Sequence, residues 1–249
     1  MWDPGQYGRY AGERARPFYD LVARVGVRDP RYIVDVGCGS GELTSLLAQR
    51  WPSAAVEGFD SSPDMLAEAI PEPRVTFTLA DVREWRPSRP VDLIVSSAVL
   101  QWVDGHEQIL RRLAGFLRPG GWLALQVPGN FQAPSHRLLR EQTLRWVPDF
   151  PYRERPVLEP AGYVELLTDA GLRVDAWETT YLHVLQGKDP VLNWVKGTAL
   201  RPVLAGLPEP AHPAFVAEYA TALRAAYPAG PAGTLFPFRR IFSVGHSPA

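Results

Sequence analysis

The sequence predicts an α/β fold in which a mostly parallel sheet is covered by helices on both faces. The first observation is that short apolar, β-branched segments alternate with helical patterns from about residue 31 onward. The second is a glycine-rich turn at residues 37–41, where the first apolar segment meets the first helical pattern. The third is the composition, 46% hydrophobic and 21% charged, which supplies enough apolar surface for a packed core. A chain of 249 residues therefore predicts one large domain.

The predicted strands are short segments rich in Val, Ile, Leu and Phe, as expected for strands that are buried from both sides. The helical patterns between them give the connections that parallel strands need. In chain order the predicted strands cover residues 32–36, 55–59, 75–79, 91–95, 122–127, 172–180 and 239–244.

Several helix ends are readable from their capping residues. Ser62 precedes Pro63, which predicts a helix that begins at the proline and is capped by the serine hydroxyl. Asp104 and Glu107 have the spacing of a capping box, and the helix that follows is expected to continue to Leu117. Residues 118–121, Arg-Pro-Gly-Gly, are expected to end that helix and turn the chain into the next strand.

The pattern changes after Pro128. Residues 129–160 are punctuated by prolines and weakly periodic, and a helix is predicted from Pro160 to Gly171. Residues 187–229 are again helical, with prolines limiting each segment. The sequence thus predicts inserted helices between the fifth and sixth strands and again before the last strand.

The near-neutral charge and the single cysteine exclude several classes of protein. Lysine plus arginine number 26 and aspartate plus glutamate 27, a net charge of −1, which disfavours a protein that coats nucleic acid. The one cysteine, Cys38, cannot form a disulfide within the chain or build a metal site alone. No apolar segment approaches the length of a membrane span, and the first residues lack the features of a signal peptide. We therefore expect a cytoplasmic protein with no bound metal and no nucleic-acid or membrane partner.

The glycine-rich turn predicts a nucleotide-type site. Gly37, Gly39 and Gly41 lie where glycines allow a ligand to approach the backbone and where a helix start offers unpaired N–H groups. Asp60, at the end of the second strand, stands where a carboxylate accepts hydrogen bonds from ribose hydroxyls in a doubly wound fold. The spacing G-x-G-x-G departs from the dinucleotide fingerprint, and Glu42 would repel a pyrophosphate at the helix start. A cofactor with a ribose and no phosphate, S-adenosylmethionine, fits these residues better.

Four segments, in their order and spacing, resemble the class I S-adenosylmethionine-dependent methyltransferases. They are Asp35-Val-Gly-Cys-Gly-Ser-Gly41, Asp60-Ser-Ser-Pro-Asp-Met65, Ala80-Asp81-Val82 and Leu117-Arg-Pro-Gly-Gly121. The resemblance implies a Rossmann-like, mostly parallel sheet of seven strands, with an antiparallel last strand and an inserted helical cap. It also implies which residues contact the cofactor. They are Asp35, Gly37, Cys38, Gly39, Gly41, Asp60 and Ser61, with Met65, Asp81, Val82 and Ser97.

The same resemblance implies a part for several of these residues. The glycines would line the methionine and ribose of the cofactor, and Asp60 would hold the ribose hydroxyls. Asp81 and Val82 would contact the adenine edge. Ser97, after the fourth strand, would lie near the transferred methyl group.

A narrower resemblance, to the trans-aconitate 2-methyltransferase family, extends over nearly the whole chain. It implies an enzyme that forms the monomethyl ester of a tricarboxylate, releases S-adenosylhomocysteine and occurs in bacteria or yeast. The segments that carry it, several of them outside the cofactor core, are residues 1–4, 13–17, 97–102, 128–131, 177–181, 200–202 and 236–242.

Methyl transfer to a carboxylate requires positioning rather than a general base. The nucleophile is already ionised at pH 7, because carboxyl groups titrate near ~4. No general acid or base is therefore expected, and the protein has to align oxygen, methyl carbon and sulfur. Arginine forks with hydroxyl or indole donors would hold the remaining carboxylates. Arg201, Arg239 and Arg240 lie in family-like segments, and each could make paired hydrogen bonds with a carboxylate. The expected substrate residues are Arg201 and Arg239, assisted by Tyr7, Trp102 and Tyr181.

The expected organisation is a single methyltransferase domain over residues 1–249. Its cofactor-binding core covers about residues 30–128, and residues 1–29 form an N-terminal lid. Insertions at residues 129–160 and 187–235 are expected to cap the substrate.

Several other hypotheses stay open. The same fold could methylate another small acid or a hydroxyl compound. An NAD-dependent dehydrogenase is disfavoured by the glycine spacing and by Glu42. A non-catalytic scaffold is disfavoured by the intact glycine turn and both site aspartates, and an RNA methyltransferase by the lack of a basic run. The sequence does not determine the oligomeric state.

Overall fold

The computed structural model describes residues 11–152 and 157–249. Their strands form one sheet in the order β3-β2-β1-β4-β5-β8-β6, with the short β7 paired to β8. The strands are β1 Tyr32–Val36, β2 Ala55–Asp60, β3 Val75–Leu79, β4 Val91–Ser97, β5 Leu117–Pro128, β6 Arg173–Leu185, β7 Ala229–Gly230 and β8 Gly233–His246.

The pairing confirms the predicted sheet. The first five strands pair in parallel, and β8 lies antiparallel between β5 and β6. The predicted strands are all present, and the extra strand β7 has only two residues. Strands β6 and β8 run longer than predicted, because they pair continuously from Arg173 opposite His246 to Leu185 opposite Thr234.

The helices connect the strands and form an additional layer beyond the end of the sheet. Two 3-10 turns, Leu100–Trp102 and Glu209–Ala211, lie between them. The helices are α1 Ala11–Ala23, α2 Glu42–Arg50, α3 Pro63–Leu66, α4 His106–Ala114, α5 Pro134–Trp146, α6 Pro160–Asp169, α7 Pro190–Lys196, α8 Leu200–Ala205 and α9 His212–Ala226.

One of the two predicted helix caps is correct and the other is wrong. The Ser62 hydroxyl accepts a hydrogen bond from the Met65 amide at 3.3 Å and begins α3, as predicted. Helix α4 is not capped by Asp104, because the residue before its first turn is Gly105, in a left-handed conformation with φ 67°. The capping-box interpretation of Asp104 and Glu107 is therefore wrong.

The end of α4 also differs from the prediction. The helix stops at Ala114, and Leu117 already pairs with Val91 as the first residue of β5. A register shift between Val91 and Leu93 accommodates the Arg-Pro-Gly-Gly segment inside the strand. Residues 118–121 therefore belong to β5 rather than to a turn before it.

Buried apolar side chains form three clusters. One lies on each face of the sheet, because neighbouring residues such as Ile33 and Val34 point to opposite faces. The third joins α5, α7, α8 and α9 to the far ends of β6 and β8. We call these four helices the helical layer. Across the described ranges, no helix is long and apolar enough to span a membrane.

Buried polar contacts hold the helical layer together. The Gln142 side chain of α5 donates to the Phe215 carbonyl of α9 at 2.7 Å. The Tyr219 hydroxyl of α9 donates to the Ser135 carbonyl at 2.8 Å, and the Ser135 amide donates to the Tyr227 hydroxyl at 3.0 Å. These contacts dock α5 on α9, although the bonded residues are 73 to 92 positions apart in the sequence.

Candidate active site

A cavity of about 750 Å³ separates the carboxyl ends of β1, β2 and β4 from the helical layer. This volume lies in the range of small-molecule sites. In doubly wound sheets, ligands bind at this edge, where the strand order reverses. The strand order places that reversal between β1 and β4, directly beside the glycine turn.

The glycine turn is held against the end of β2 by its own backbone. The amides of Gly37 and Cys38 both donate to the Phe59 carbonyl, at 2.8 and 3.0 Å. Gly37 has φ 69°, and a Cβ atom there would lie 2.3 Å from Val99 Cγ2. Only glycine fits this position, for both conformational and steric reasons.

Asp60 joins the glycine turn to the next strand. Its Oδ2 accepts a hydrogen bond from the Gly39 amide and its Oδ1 accepts one from the Ser62 amide, both at 2.9 Å. The carboxylate borders the cavity and is half-buried. It is therefore oriented by two backbone donors before any ligand binds.

Three of the predicted cofactor residues are not among the described residues that line the cavity: Asp35, which lies beneath the turn, and Cys38 and Gly41, which belong to the turn itself. Asp35 is buried and accepts a 2.6 Å hydrogen bond from the Thr44 hydroxyl. Burial raises the pKa of Asp35 to about 6; the Thr44 bond opposes the rise and the nearby Asp60 charge adds to it. Burial also raises the pKa of the Cys38 thiol, so this cysteine is not an activated nucleophile.

The loop after β3 supplies the next part of the wall. Asp81 borders the cavity and is bridged by the Arg83 guanidinium, with Nε donating to Oδ1 at 2.9 Å. These hydrogen bonds lower the pKa of Asp81 to about 2. Arg112 of α4 donates to the carbonyls of Val82 and Arg83 and so ties this loop to the helix.

The end of β4 brings a polar and a strained residue to the cavity. The Ser97 hydroxyl oxygen accepts a hydrogen bond from the Gln126 side chain at 2.8 Å. Ala98 has φ 58°, which is rare for a residue with a Cβ atom and costs roughly 1 kcal/mol. Such strain is typical of functional sites.

The opposite side of the cavity is built by the helical layer and β8. Arg140 and His136 come from α5, and Arg240 from β8. Burial, with the nearby Arg140 charge, lowers the pKa of His136 to about 4, so this imidazole is neutral at pH 7. The remaining lining side chains on this side are mostly apolar or aromatic: Phe131, Leu139, Phe150, Tyr152, Trp194, Val203 and Phe238.

The cavity is therefore divided by charge. Three carboxylates, of Asp60, Asp81 and Asp104, and one guanidinium, of Arg83 paired with Asp81, border the side formed by the strand ends, so the described residues leave an excess of negative charge there. Guanidinium groups of Arg140 and Arg240 border the side formed by α5 and β8. A cationic ligand group is favoured on the first side and an anionic one on the second.

The predicted substrate residues are not brought together. Trp102 borders the cavity and is 53% exposed. The Tyr181 hydroxyl instead donates to Asp20 Oδ2 at 2.6 Å, and Arg239 is ion-paired with Glu159 and Glu178. Arg201 is likewise not among the lining side chains, although its neighbour Pro202 is, and Tyr7 lies outside the described residues.

Arg240, Arg140 and His136 also line the cavity, although they are not among the site residues predicted from the sequence. A signal for Arg240 exists, because strand alternation puts Phe236, Phe238 and Arg240 on one face and Arg239 on the other. The observed burial follows that alternation. Nothing comparable marks Arg140, whose helix is weakly periodic in sequence. In the part of the chain that the structure describes, no group of three or more His, Cys, Asp or Glu side chains could hold a metal ion.

Comparison with known proteins places this site in a family. A family model described as a methyltransferase domain matches residues 7–176. Trans-aconitate 2-methyltransferase of Streptomyces avermitilis is 54% identical over 262 residues, covering 100% of this chain and 97% of that protein. The enzyme of the same name from Mycolicibacterium gilvum is 54% identical, with 98% of each chain covered.

The chain belongs to the trans-aconitate 2-methyltransferase family. A member from Mycobacterium tuberculosis is 47% identical and covers 98% of this chain and 96% of its own length. The similarity thus extends through the helical layer, well beyond the residues that the methyltransferase domain model matches.

Solved structures agree with the α/β fold of this family member. The YcgJ protein of Bacillus subtilis has a TM-score of 0.59 at 12% identity and covers 94% of this chain and 99% of its own. Phosphoethanolamine N-methyltransferase 2 of Haemonchus contortus, in complex with S-adenosyl-L-methionine, has a TM-score of 0.57 at 18% identity. The match covers 94% of this chain and 53% of that one.

Proposed function

We propose that this protein transfers the methyl group of S-adenosylmethionine to one carboxylate of trans-aconitate and forms its monomethyl ester. The observation that carries the proposal is the division of one cavity into an acidic side at the strand ends and a basic side at α5 and β8. The full-length similarity to enzymes named trans-aconitate 2-methyltransferase supports the choice of substrate.

The residues at the strand ends fit this cofactor. A Cβ atom at Gly39 would lie 3.1 Å from Met65 Cε, so the turn and Met65 leave a narrow slot that a side chain would fill. Asp60, already oriented by two amides, would accept hydrogen bonds from the ribose hydroxyls. Asp81 and Val82 would contact the adenine, and Ser61, Met65 and Ser97 would complete the contacts. Asp35 would support the turn from behind, and the backbone of Cys38 and Gly41 would hold its shape.

When bound, S-adenosylmethionine supplies an electrophilic methyl group carried by a positively charged sulfur. The carboxylates of Asp60 and Asp104 favour a cation on this side of the cavity, where the Asp81 carboxylate is paired with Arg83. The low pKa of Asp81 keeps its carboxylate ionised throughout the physiological range. No side chain has to remove a proton, because the substrate carboxylate is ionised already. The protein contributes orientation and the exclusion of water, which account for several powers of ten in rate.

This assignment implies that different segments of the chain bind the cofactor and the substrate. We propose that residues 30–128 bind the cofactor and that residues 129–160 and 187–235 cover the substrate. The described parts of those two segments supply most of the wall that faces the strand ends. Residues 1–29 stay our predicted N-terminal lid; of these, only α1 and the residues after it are described.

The proposal is tested by methyl transfer from labelled S-adenosylmethionine to a panel of acids, with the ester measured as methanol released by base. The panel contains trans-aconitate, cis-aconitate, citrate, isocitrate and a monocarboxylate. We expect a strong preference for trans-aconitate. Turnover of a different acid, or of a hydroxyl compound to a base-stable ether, would replace the substrate and keep the cofactor. Bound S-adenosylmethionine with no acceptor methylated would favour a non-catalytic scaffold.

A further inference from the structure

Arg240 is a buried cation in the wall of the cavity. Its side chain is only 7% exposed, and its Nη1 donates to Gln126 Oε1 at 3.1 Å. The guanidinium carbon lies 4.8 Å from the centre of the Phe238 ring, which also lines the cavity. A guanidinium in such a low-dielectric place attracts anions far more strongly than one in water.

Gln126 connects Arg240 to the residue at the end of β4. Its amide oxygen accepts from Arg240, and its amide nitrogen donates to Ser97 Oγ at 2.8 Å. Strand β5 lies between β4 and β8, and Gln126 is opposite Ser97 on one side and Phe242 on the other. The neutral amide, which is 1% exposed, therefore sets the position of the Arg240 guanidinium relative to Ser97.

Arg140 approaches the same cavity from α5. It is partly buried, and its charge acts on His136, another lining residue. Arg140 and Arg240 come from elements that are far apart in sequence, so their placement in one wall is a product of the tertiary fold. Two cations in one wall are suited to an anion with more than one carboxylate.

We propose that Arg240 and Arg140 each bind a different carboxylate of the substrate, and that Gln126 is a positioning residue that holds Arg240 relative to Ser97. This assignment rests on the proposed carboxylate methylation. It replaces Arg239 with its neighbour, because Arg239 points to the other face of β8 and is ion-paired with Glu159 and Glu178. It also makes acids with two or three carboxylates better substrates than monocarboxylates, which can engage only one of the two guanidinium groups.

The test uses the variants Arg240→Gln, Arg240→Lys and Arg140→Gln in the full chain. We expect Arg240→Gln and Arg140→Gln each to raise KM for trans-aconitate by about 10- to 100-fold, the loss typical of a charge-assisted hydrogen bond. The dissociation constant of S-adenosylmethionine should stay within about twofold of the wild-type value. Arg240→Lys keeps the positive charge but loses the two parallel N–H donors of the guanidinium, so its KM should lie between those of the wild type and Arg240→Gln.

The matched control for α5 is Arg137→Gln. Arg137 is exposed, one turn before Arg140, and pairs with Glu141 on the same helix. Its KM should equal that of the wild type. Arg239→Gln provides the adjacent comparison on β8, and its KM should change much less than that of Arg240→Gln.

Gln126 is tested by introducing a competing carboxylate. In Gln126→Glu the new side chain would pair with Arg240 and compete with the substrate. We expect a KM close to that of Arg240→Gln, and in the double variant a rise smaller than the product of the two single effects, because both substitutions act through the Arg240 guanidinium. A mere loss of stability would lower the melting temperature without this non-additive pattern in KM.

Direct binding separates failure of this inference from failure of the proposed function. Calorimetry of trans-aconitate, with S-adenosylhomocysteine present, measures acid binding without turnover. An active wild type whose KM and acid affinity are unchanged in Arg240→Gln and Arg140→Gln would overturn the inference alone. A rise in KM for Arg239→Gln in place of Arg240→Gln would overturn it as well. A wild type that neither methylates nor binds the acid would overturn both proposals.

Discussion

The two sides of the cavity are built in different ways. The side at the strand ends uses short contiguous segments and is held by backbone contacts, such as those from Gly37 and Cys38 to the Phe59 carbonyl. The side at the helical layer combines segments around residues 130–152, 194–203 and 238–240, held mainly by side-chain contacts. The first side is therefore fixed mainly by backbone geometry, and the second mainly by side chains.

Because of this difference, we expect substitutions on the two sides of the cavity to change different properties of the protein. A substitution on the strand-end side should alter cofactor affinity, because hydrogen bonds fix the backbone there and it cannot shift to accommodate a new side chain. A change in the helical layer should alter acid binding or stability while the cofactor cradle persists. Three predictions test that separation.

The largest effect is expected for Gly37→Ala, compared with Gly105→Ala. Both glycines have positive φ values, 69° and 67°, so both variants should lose roughly 1 kcal/mol from left-handed strain. Only at Gly37 would the new Cβ meet another side chain, 2.3 Å from Val99 Cγ2, whereas nothing lies within 4 Å at Gly105. Gly37→Ala should lose a further ~1–3 kcal/mol of unfolding free energy and most of its S-adenosylmethionine affinity.

Urea unfolding and calorimetry measure both quantities for this pair. Equal stabilities and equal cofactor affinities in the two variants would show that the close contact between residue 37 and Val99 does not matter. The backbone of the strand-end side could then shift to accept a side chain.

A middle-sized effect is expected for Asp35→Asn as a function of pH. The folded pKa of Asp35 is about 6, above its ordinary value of 3.8, so the folded state binds more protons between these values than the unfolded state. Its contribution to stability is therefore present below about pH 4 and is lost as the pH rises through about 6. The shift of about two units corresponds to roughly 3 kcal/mol.

Asparagine keeps an acceptor for the Thr44 hydroxyl and carries no charge. In the ligand-free protein, Asp35→Asn should therefore be about as stable as the wild type near pH 4 and more stable above pH 6. Urea unfolding from pH 4 to pH 8 checks this expectation. Parallel stability curves for the two proteins would contradict the raised pKa.

The smallest effect is expected for Tyr219→Phe in the helical layer. The variant loses the 2.8 Å hydrogen bond to the Ser135 carbonyl, which should cost about 1 kcal/mol of unfolding free energy. Cofactor affinity should not change, because the contact lies between α9 and α5. The control Tyr19→Phe removes a hydroxyl from a residue that is 53% exposed and should be neutral. A loss of S-adenosylmethionine affinity in Tyr219→Phe would show that the two sides are coupled.

The strand-end side was largely predictable from the sequence. Gly37, Gly39 and Asp60 are predicted from local motifs, Asp81 and Ser97 from the family resemblance, and all five border the cavity. They do so because parallel strands end at one edge of a sheet, so residues that follow different strands meet there. The motifs did not distinguish lining residues from supporting ones, which is why Asp35 was placed among the contacts although it lies beneath the turn.

On the substrate side, Trp102 borders the cavity and the predicted residues Arg201, Arg239 and Tyr181 do not. The family-like segment contains both Arg239 and Arg240 and does not indicate which of them faces the cavity, because a one-residue difference along a strand exchanges the two faces of the sheet. The predicted capping box at Asp104 is wrong for a related reason, because Gly105, in a left-handed conformation, occupies the N-cap position instead. In both cases the local pattern was compatible with two structures that only neighbouring elements distinguish.

The sequence by itself determined the α/β class, the positions of the strands along the chain and the residues at their carboxyl ends. It could do so because hydrophobic periodicity, glycine conformation and strand-end motifs are local properties of the chain. The tertiary structure alone decided that Arg140 and Arg240 share a wall and that Gln126 reaches both Ser97 and Arg240. Those relations depend on how β5 pairs with β8 and how α5 packs on α9, which are contacts between residues far apart in the chain.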